Sequence, residues 1–594
     1  MKSKFFIFIL FLLFFCLTFN SVSVIAKSPQ KAPLLNATTQ PKFINDLVSP
    51  HKIDATKGGK FTIEMRETKQ WLGLYAAPGA DGKYGTSDDQ RLNTTIWGYG
   101  LVDQNVTYPG PTFIAQKDIP IQVEWKNNLP QNGHLFPIDT EQLHDPLLKT
   151  ALKQKLVPTV VHLHGGHTMS ASDGIPEAWF TQNYSLTGSD WIQKTYTYDN
   201  NHQGEAAAFW YHDHTDMITR LNVYTGLAGF YLLRDNNENN LINNNVLPSG
   251  EYERELLIQD KKFTTDGQMF YPEAPNTNIP GVPSRTGSYG DFILVNGMAW
   301  PKLEVEPRKY RLRLLNGSDS RIYRLQFYNS EKKIYLIGTE QGFIKNPVAL
   351  NSLVISPSER ADVIVDFTND AGKELILRNS SPGANANTTG QIIKFKVSKP
   401  LSPVPIATVD TNEEDGLATP LRSNVITFPI QNAPTRQLVL FQLRENENHD
   451  LFLLGTLKNG SFRYRDPVTE KPVLGTTEVW EIYNPSQYIH TIHIHLVAFQ
   501  VLNRQKFSGN LVTQTDPIKG ETKQFLRNVN LTGNPIPLEP YENGRKDAVV
   551  VNPGEVVRII ATFDRPGEYV WHCHILIHED HDMMRPIQVV QKPA

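Results

Sequence analysis

Seventeen histidines are spread over 594 residues, and random placement at that frequency gives roughly half of one His-x-His pair, yet the chain holds four. They are His162/His164, His212/His214, His493/His495 and His572/His574. One such pair alone is an ordinary accident or surface feature; four, two early in the chain and two late, are not. On a β-strand residues two apart project to one face, so each pair is a two-pronged clamp able to reach a shared metal cluster. Eight imidazoles with no carboxylate or thiolate among them suit copper, zinc or iron.

The same parity argument separates a second site. If His572 and His574 face one cluster, the thiol of Cys573 between them faces the opposite side. In His490-Thr491-Ile492-His493-Ile494-His495, position 490 differs in parity from 493 and 495 and can point toward Cys573. His578 and Met583 follow Cys573 closely, and two His, one Cys and a weak thioether define a blue copper electron-transfer site. Structural zinc closes four ligands around each ion, so this neighbour argues for copper throughout. The backbone through Cys573 would then join the blue site to His572 and His574.

Strands must position these residues. Short runs rich in Val, Ile, Tyr and Phe, such as Arg311-Leu312-Arg313-Leu314-Leu315, Ala361-Asp362-Val363-Ile364-Val365-Asp366-Phe367 and Val557-Arg558-Ile559-Ile560-Ala561-Thr562-Phe563, alternate with turn residues. Forty prolines and thirty-nine glycines fit many turns, and long amphipathic helical patterns are scarce, so the expected class is all-β, built of antiparallel sandwiches. The length exceeds what one core serves. An Asn-rich stretch at 236–245 and a Pro-rich, acidic stretch at 399–432 suggest domains near 27–235, 246–398 and 433–594. The segment 79–89, rich in Gly and Asp, reads as a polar surface turn, with a calcium loop as the alternative. Sequons such as Asn36, Asn93, Asn105 and Asn530 are no more than an Asn-rich chain gives by chance.

Residues 1–26 carry Lys2 and Lys4, a short apolar run and small residues before Lys27, the pattern of a cleavable signal peptide; a membrane anchor would want a longer run. Export to the periplasm or the medium is expected, and without an Arg-Arg pair ahead of the run, copper would be loaded outside the cytoplasm. Of the two cysteines, Cys16 lies in this leader, which leaves Cys573 with no disulfide partner. With 58 basic and 61 acidic residues and no long basic run, neither nucleic acid nor an anionic membrane is expected as a partner.

Val161-His162-Leu163-His164-Gly165-Gly166, Trp210-Tyr211-His212-Asp213-His214, His490-x-x-His493-x-His495 and His572-Cys573-His574 resemble the four copper motifs of the multicopper oxidases. Asp173-Gly174-Ile175-Pro176-Glu177-Ala178-Trp179-Phe180, Leu303-Glu304-Val305-Glu306-Pro307-Arg308-Lys309-Tyr310 and Asp466-Pro467-Val468-Thr469-Glu470 are similar to bacterial laccases of the spore-coat type, relatives of bilirubin oxidase, and the similarity spans nearly all of the chain after the leader. The resemblance implies three cupredoxin-like Greek-key β-sandwiches and four copper ions. It places type 1 copper on His490, Cys573, His578 and axial Met583. Type 2 copper falls to His162 and His493, and the type 3 pair to His164, His212, His214, His495, His572 and His574, between the first and third sandwiches.

It also implies one-electron oxidation of phenolic or aromatic amine donors coupled to four-electron reduction of dioxygen to water, by a monomer, with bilirubin-like pigments or metal ions as alternative donors. Only eight methionines are present, scattered except for Met583-Met584, which disfavours a cuprous oxidase. Glu579 and Asp173 match positions credited in the family with supplying protons; without the resemblance each is an ordinary acidic residue. His581 and His167 fall off the pattern and read as flanking or surface histidines. One departure is Thr491, where the family usually has proline after the type 1 histidine; losing that fixed φ is expected to loosen the segment. A copper-free scaffold would lack ligands, a copper nitrite reductase would not need eight cluster histidines, and a simple blue electron carrier would need only the last motif.

Overall fold

The computed structural model describes residues 32–592, apart from 139, 141–142, 202–204, 272–286, 329, 412–419, 423–427, 447–448 and 516–520. Residues 1–26, expected above to be a leader, lie outside the described residues, as do parts of the 399–432 stretch. Six sheets pair face to face into three sandwiches, each enclosing its own apolar cluster. In the first, the sheet Lys52–Ala55, Thr112–Gln116, Ala228–Arg234, Ala207–Asp213, Val161–His164 packs on Gln90–Leu101, Gly59–Ala77, Ile121–Asn127, Thr195–Tyr198. Trp97, Tyr99, Phe113, Trp125, Tyr211 and Tyr231 fill the gap between them.

The middle sandwich uses Arg311–Leu315 and Ala361–Phe367 much as their composition suggests, inside the strand Lys309–Asn316 and, up to Asp366, inside Arg360–Asp366, which pair antiparallel. In the third, the strands His490–Ile494 and Gly567–Cys573 sit centrally in a four-stranded sheet with Ala548–Val551 and Met584–Val589, facing a larger sheet that contains Glu555–Phe563. Trp480 and Trp571 meet edge to face at 5.7 Å in the core between the two sheets. All three larger folds share one signature: Gly59–Ala77 with Ile121–Asn127, Glu253–Phe263 with Lys309–Asn316, and Thr435–Asn446 with Thr476–Tyr483 each pair in parallel, so the sandwiches are mixed rather than purely antiparallel.

Alternation alone would turn Arg311 and Arg313 to water, yet both are buried. The Asn-rich stretch supplies the reason, because it is a helix, Asn236–Asn243, started by the Asp235 side chain accepting from the Glu238 amide. Its Glu238 is fully buried and, with Glu253 and Asp362, compensates Arg234, Arg311 and Arg313. The segment 79–89 is a turn whose acids accept from its own amides: Asp89 from Gly85 and Thr86, Asp88 from Ala80 and Asp81 from Lys83. These carboxylates are not among the described groups that converge at metal-binding distances.

The first and third sandwiches are locked where the helix Thr219–Thr225 begins. Asp580 accepts from the Thr219 and Arg220 amides at 3.1 and 3.0 Å and from the Arg220 guanidinium at 2.7 Å, all buried. Asp580→Ala removes the acceptor from all three donors, and a loss of about 3–5 kcal/mol in unfolding free energy is expected, read by urea denaturation. A loss below about 1 kcal/mol, the value of an exposed pair, would contradict this account.

Candidate metal centres

The strand Val161–His164 pairs with Ala207–Asp213 so that His162 lies opposite His212, and His490–Ile494 pairs with Gly567–Cys573 so that His493 lies opposite His572. Each pairing brings two His-x-His clamps side by side, one set from each end of the chain. The two sets interleave: His164 stacks on His493 with ring centroids 3.6 Å apart, and His162 on His495 at 3.8 Å. The eight imidazoles are buried and fall into groups whose ligand atoms lie within 4.8 Å of one another: His164, His212, His574; His214, His495, His572; and His162 and His493 beside His164.

In five of the rings an outward nitrogen donates to a backbone carbonyl or a carboxylate, which sets the tautomer. His162 Nδ1 donates to the Asp173 carbonyl at 2.6 Å, His493 Nδ1 to the Asp547 carbonyl at 2.7 Å and His212 Nδ1 to the Asp213 carbonyl at 2.7 Å. His495 Nδ1 donates to the Asp173 carboxylate at 2.7 Å, while His164 instead uses Nε2, toward Asp547 Oδ1 at 3.1 Å. The inward nitrogens, Nε2 of His162, His212 and His493 and Nδ1 of His164, are buried with no hydrogen-bond partner, as are both nitrogens of His574. His572 Nε2 lies 3.2 Å from His495 Nε2 and 3.3 Å from His214 Nε2, a crowding of lone pairs that a shared cation relieves. Burial first, and for most of them mutual repulsion next, push these imidazoles below their ordinary range, His572 to about 3 and His214 to about 4, so they are neutral donors.

On the reverse side of the strand Gly567–Cys573, Cys573 Sγ lies 3.6 Å from His490 Nδ1 and 3.7 Å from His578 Nδ1. The Ser486 hydroxyl gives its proton to Asn484 Oδ1 and so accepts from His490 Nε2 at 2.9 Å, which leaves Nδ1 free toward the sulfur. Met583 is fully buried in the same apolar cluster, and its carbonyl accepts the Cys573 amide at 3.0 Å. Phe452 covers both histidines, 4.1 Å from the His578 ring and 5.3 Å from His490. Burial pushes the Cys573 thiol up to about 12, so only a bound cation would make it a thiolate near neutrality.

Family models described as multicopper oxidase match residues 154–238 and 432–593, the two stretches that carry these side chains. The laccase of Bacillus subtilis strain 168 is 40% identical over 509 residues, covering 84% of this chain and 90% of that protein. The chain belongs to the multicopper oxidase family. Multicopper oxidase LPR1 of Arabidopsis thaliana is 34% identical over 532 residues, covering 84% of this chain and 85% of its own. The crystal structure of the McoA multicopper oxidase from Aquifex aeolicus superposes with a TM-score of 0.66 at 25% identity, over 92% of this chain and 99% of that one.

Copper is the metal this oxidase family implies, and the donor set fits it: converging unprotonated imidazoles on one face, and a thiol between two imidazoles on the other. Glu579, on the short helix Leu576–Glu579, sits between the oxidase's histidines, with Oε2 3.0 Å from His572 Nδ1 and Oε1 3.5 Å from His214 Nε2. Burial pushes its carboxyl up to about 7, and likewise that of Asp173, whose Oδ1 accepts from Thr168. His167 bridges to Asp564 and His581 Nδ1 meets the Ile577 carbonyl; neither joins the converging groups. Thr491 departs from expectation. Rather than loosening the segment, it lies fully buried inside a strand paired on both sides, and its hydroxyl bonds Ser356 of the middle sandwich. Sequence reading of this oxidase missed Asp547 and Ser486, isolated residues whose importance lies only in which imidazole they meet.

Proposed function

We propose that this multicopper oxidase is a laccase: it takes single electrons from phenolic or aromatic amine donors and reduces dioxygen to water. The interleaving of His162–His214 with His493–His574 carries this reading, since neither end of the chain alone assembles an oxygen-reducing cluster. His490, Cys573, His578 and Met583 would hold one copper; His162 and His493 a second; and His164, His212, His574 with His214, His495, His572 a pair, four in all. Bound copper supplies the one-electron chemistry at each site.

The protein's own residues do the rest. Cys573, at the end of its strand, joins the sulfur site to the adjacent His572 and His574, a short covalent connection. Burial of both clusters excludes water. Glu579 holds a proton on a carboxylate oxygen beside His214 and His572, and Asp173 fixes the orientation of His162 and His495. A cleft of about 680 Å³ lined by Tyr488, Ile489 and Ile575, neighbours in sequence of His490 and His578, together with Tyr289, Ile322 and Tyr541, suits an aromatic donor. The leader adds export, so that a monomer would acquire copper in the periplasm or the medium.

Copper-loaded protein is expected to show an intense blue absorption and to consume oxygen when given a phenol. Lack of both after loading would overturn the assignment.

A further inference from the structure

The middle sandwich offers no histidine to either cluster, yet it bonds Asp547, which meets two of the cluster imidazoles. There Arg360, at the start of the strand Arg360–Asp366, has every guanidinium N–H engaged. Nε donates to the Ala208 carbonyl of the first sandwich at 2.8 Å. Nη1 donates to the Ser358 carbonyl at 3.1 Å and to Asp547 Oδ1 at 2.7 Å, and Nη2 to Asp547 Oδ2 at 2.5 Å and the Glu340 carbonyl at 3.5 Å. The fork-on-fork pairing is the geometry at which Arg holds a carboxylate most rigidly. Gln341 Nε2 adds a further bond to Asp547 Oδ2 at 2.5 Å and reaches the Gly165 carbonyl at 3.0 Å. Gly165 itself must lack a side chain: its φ is +90°, and a Cβ there would lie 2.6 Å from Arg360 Nη2 and 2.7 Å from Asp547 Oδ2.

Asp547 is clamped in backbone as well as side chain. Lys546, its neighbour, pairs with Glu340 at 2.6 Å and Glu359 at 3.0 Å, and the Arg545 carbonyl accepts from Thr339 Oγ1 and the Gln341 amide. From this fixed position Asp547 reaches two cluster imidazoles from opposite ends of the chain: His493 through its carbonyl and His164 through its carboxylate. The second contact explains an oddity of the cluster, for His164 uses Nε2 outward and leaves Nδ1 as the unpaired inward nitrogen, the reverse of His162, His212 and His493.

We propose that Arg360 and Asp547 are positioning residues by which the middle sandwich selects the inward nitrogen of His164 and sets the His164/His493 stack, assembling the imidazole cluster across the domain interface. The proposal rests on the copper assignment above. It makes the middle sandwich a jig for the cluster rather than a spacer, and it leaves the sulfur site, on the other face of the sheet, independent of the clamp.

Asp547→Asn tests it with little change of volume. An amide has one acceptor where the carboxylate has two, so in either orientation its NH₂ opposes an Arg360 N–H, donor against donor: in place of Oδ2 it also opposes Gln341 Nε2, and in place of Oδ1 it also faces His164 Nε2, which moves the ring proton onto the inward nitrogen. Arg360→Met removes the clamp from the other side. In both variants, loaded with copper and then titrated with a chelator, the cluster copper is expected to leave about 10- to 100-fold more readily, read as copper per chain and by electron paramagnetic resonance, while the blue absorption keeps its wild-type intensity. If Arg360→Met fails to fold, Asp547→Asn alone decides. Cluster copper held as tightly as in the wild type, or blue absorption lost in parallel with it, would overturn the clamp. Wild-type protein that takes up no copper at all would instead refute the copper assignment, and the clamp with it.

Discussion

Cys573→Ser is expected to abolish the blue absorption and to bring oxygen uptake with a phenol down to the background of copper-free protein, with the fold retained. The sulfur of Cys573 is the thiolate-forming ligand of the site, and a buried serine hydroxyl at the same place offers copper a weak, protonated oxygen instead. Its volume is close to that of the thiol, and the neighbouring contacts, the Cys573 amide to Met583 and the His574 amide to Thr491, are made by backbone and survive. Burial that pushes the thiol up to about 12 adds a second signature. Loading wild-type apoprotein near neutrality should release a proton from this residue that the serine variant does not release, measured by pH-stat titration with copper. Circular dichroism separates loss of ligand from loss of fold. Blue colour that persisted in the serine variant would remove Cys573 from the site and with it the connection to His572 and His574.

Glu579→Gln is the complementary case: the colour should stay and oxygen reduction should slow by about 10²–10⁴-fold, the usual contribution of a positioned acid or base. Glutamine keeps the size and hydrogen-bonding reach of the side chain but cannot hold and release a proton. The position is demanding, because Glu579 is fully buried between His214 and His572. Burial holds its carboxyl up to about 7, which allows it to carry a proton near neutrality where an exposed glutamate would not. Single-turnover reoxidation of reduced enzyme isolates this step from donor oxidation. A variant that reoxidises at the wild-type rate would assign the proton supply elsewhere, with Asp173 the next carboxylate to replace.

Both predictions concern residues visible in the sequence, Glu579 through its resemblance to the multicopper oxidases and Cys573 also through geometry. A period of two along a strand is a local property, so His572 and His574 must share a face and Cys573 must oppose them wherever the strand is placed. The same parity set His490 apart from His493 and His495, and the register of His490–Ile494 against Gly567–Cys573 places Ile492 opposite Cys573 and His493 opposite His572. Where local reasoning fell short, a distant partner had intervened. The 236–245 stretch lies between strands of the first and middle sandwiches, and composition does not show that Asp235 caps it into a helix or that three buried arginines require its Glu238. Thr491 reads as a loosened position, but pairing on both edges and Ser356 hold it.

From the sequence alone came the all-β class, the inventory of metal-facing side chains, their division into an imidazole face and a sulfur face, and, only through resemblance to the family, the two carboxylates Glu579 and Asp173. Tertiary structure alone decided which imidazoles stack, that Ser486 frees His490 Nδ1, that Asp547 turns His164 around, and that Arg360 of the middle sandwich holds Asp547 in place. The division has one physical cause. Facing direction is fixed by backbone geometry within a few residues, whereas hydrogen-bond partners separated by 187 positions, as Arg360 and Asp547 are, meet only when whole sandwiches have docked.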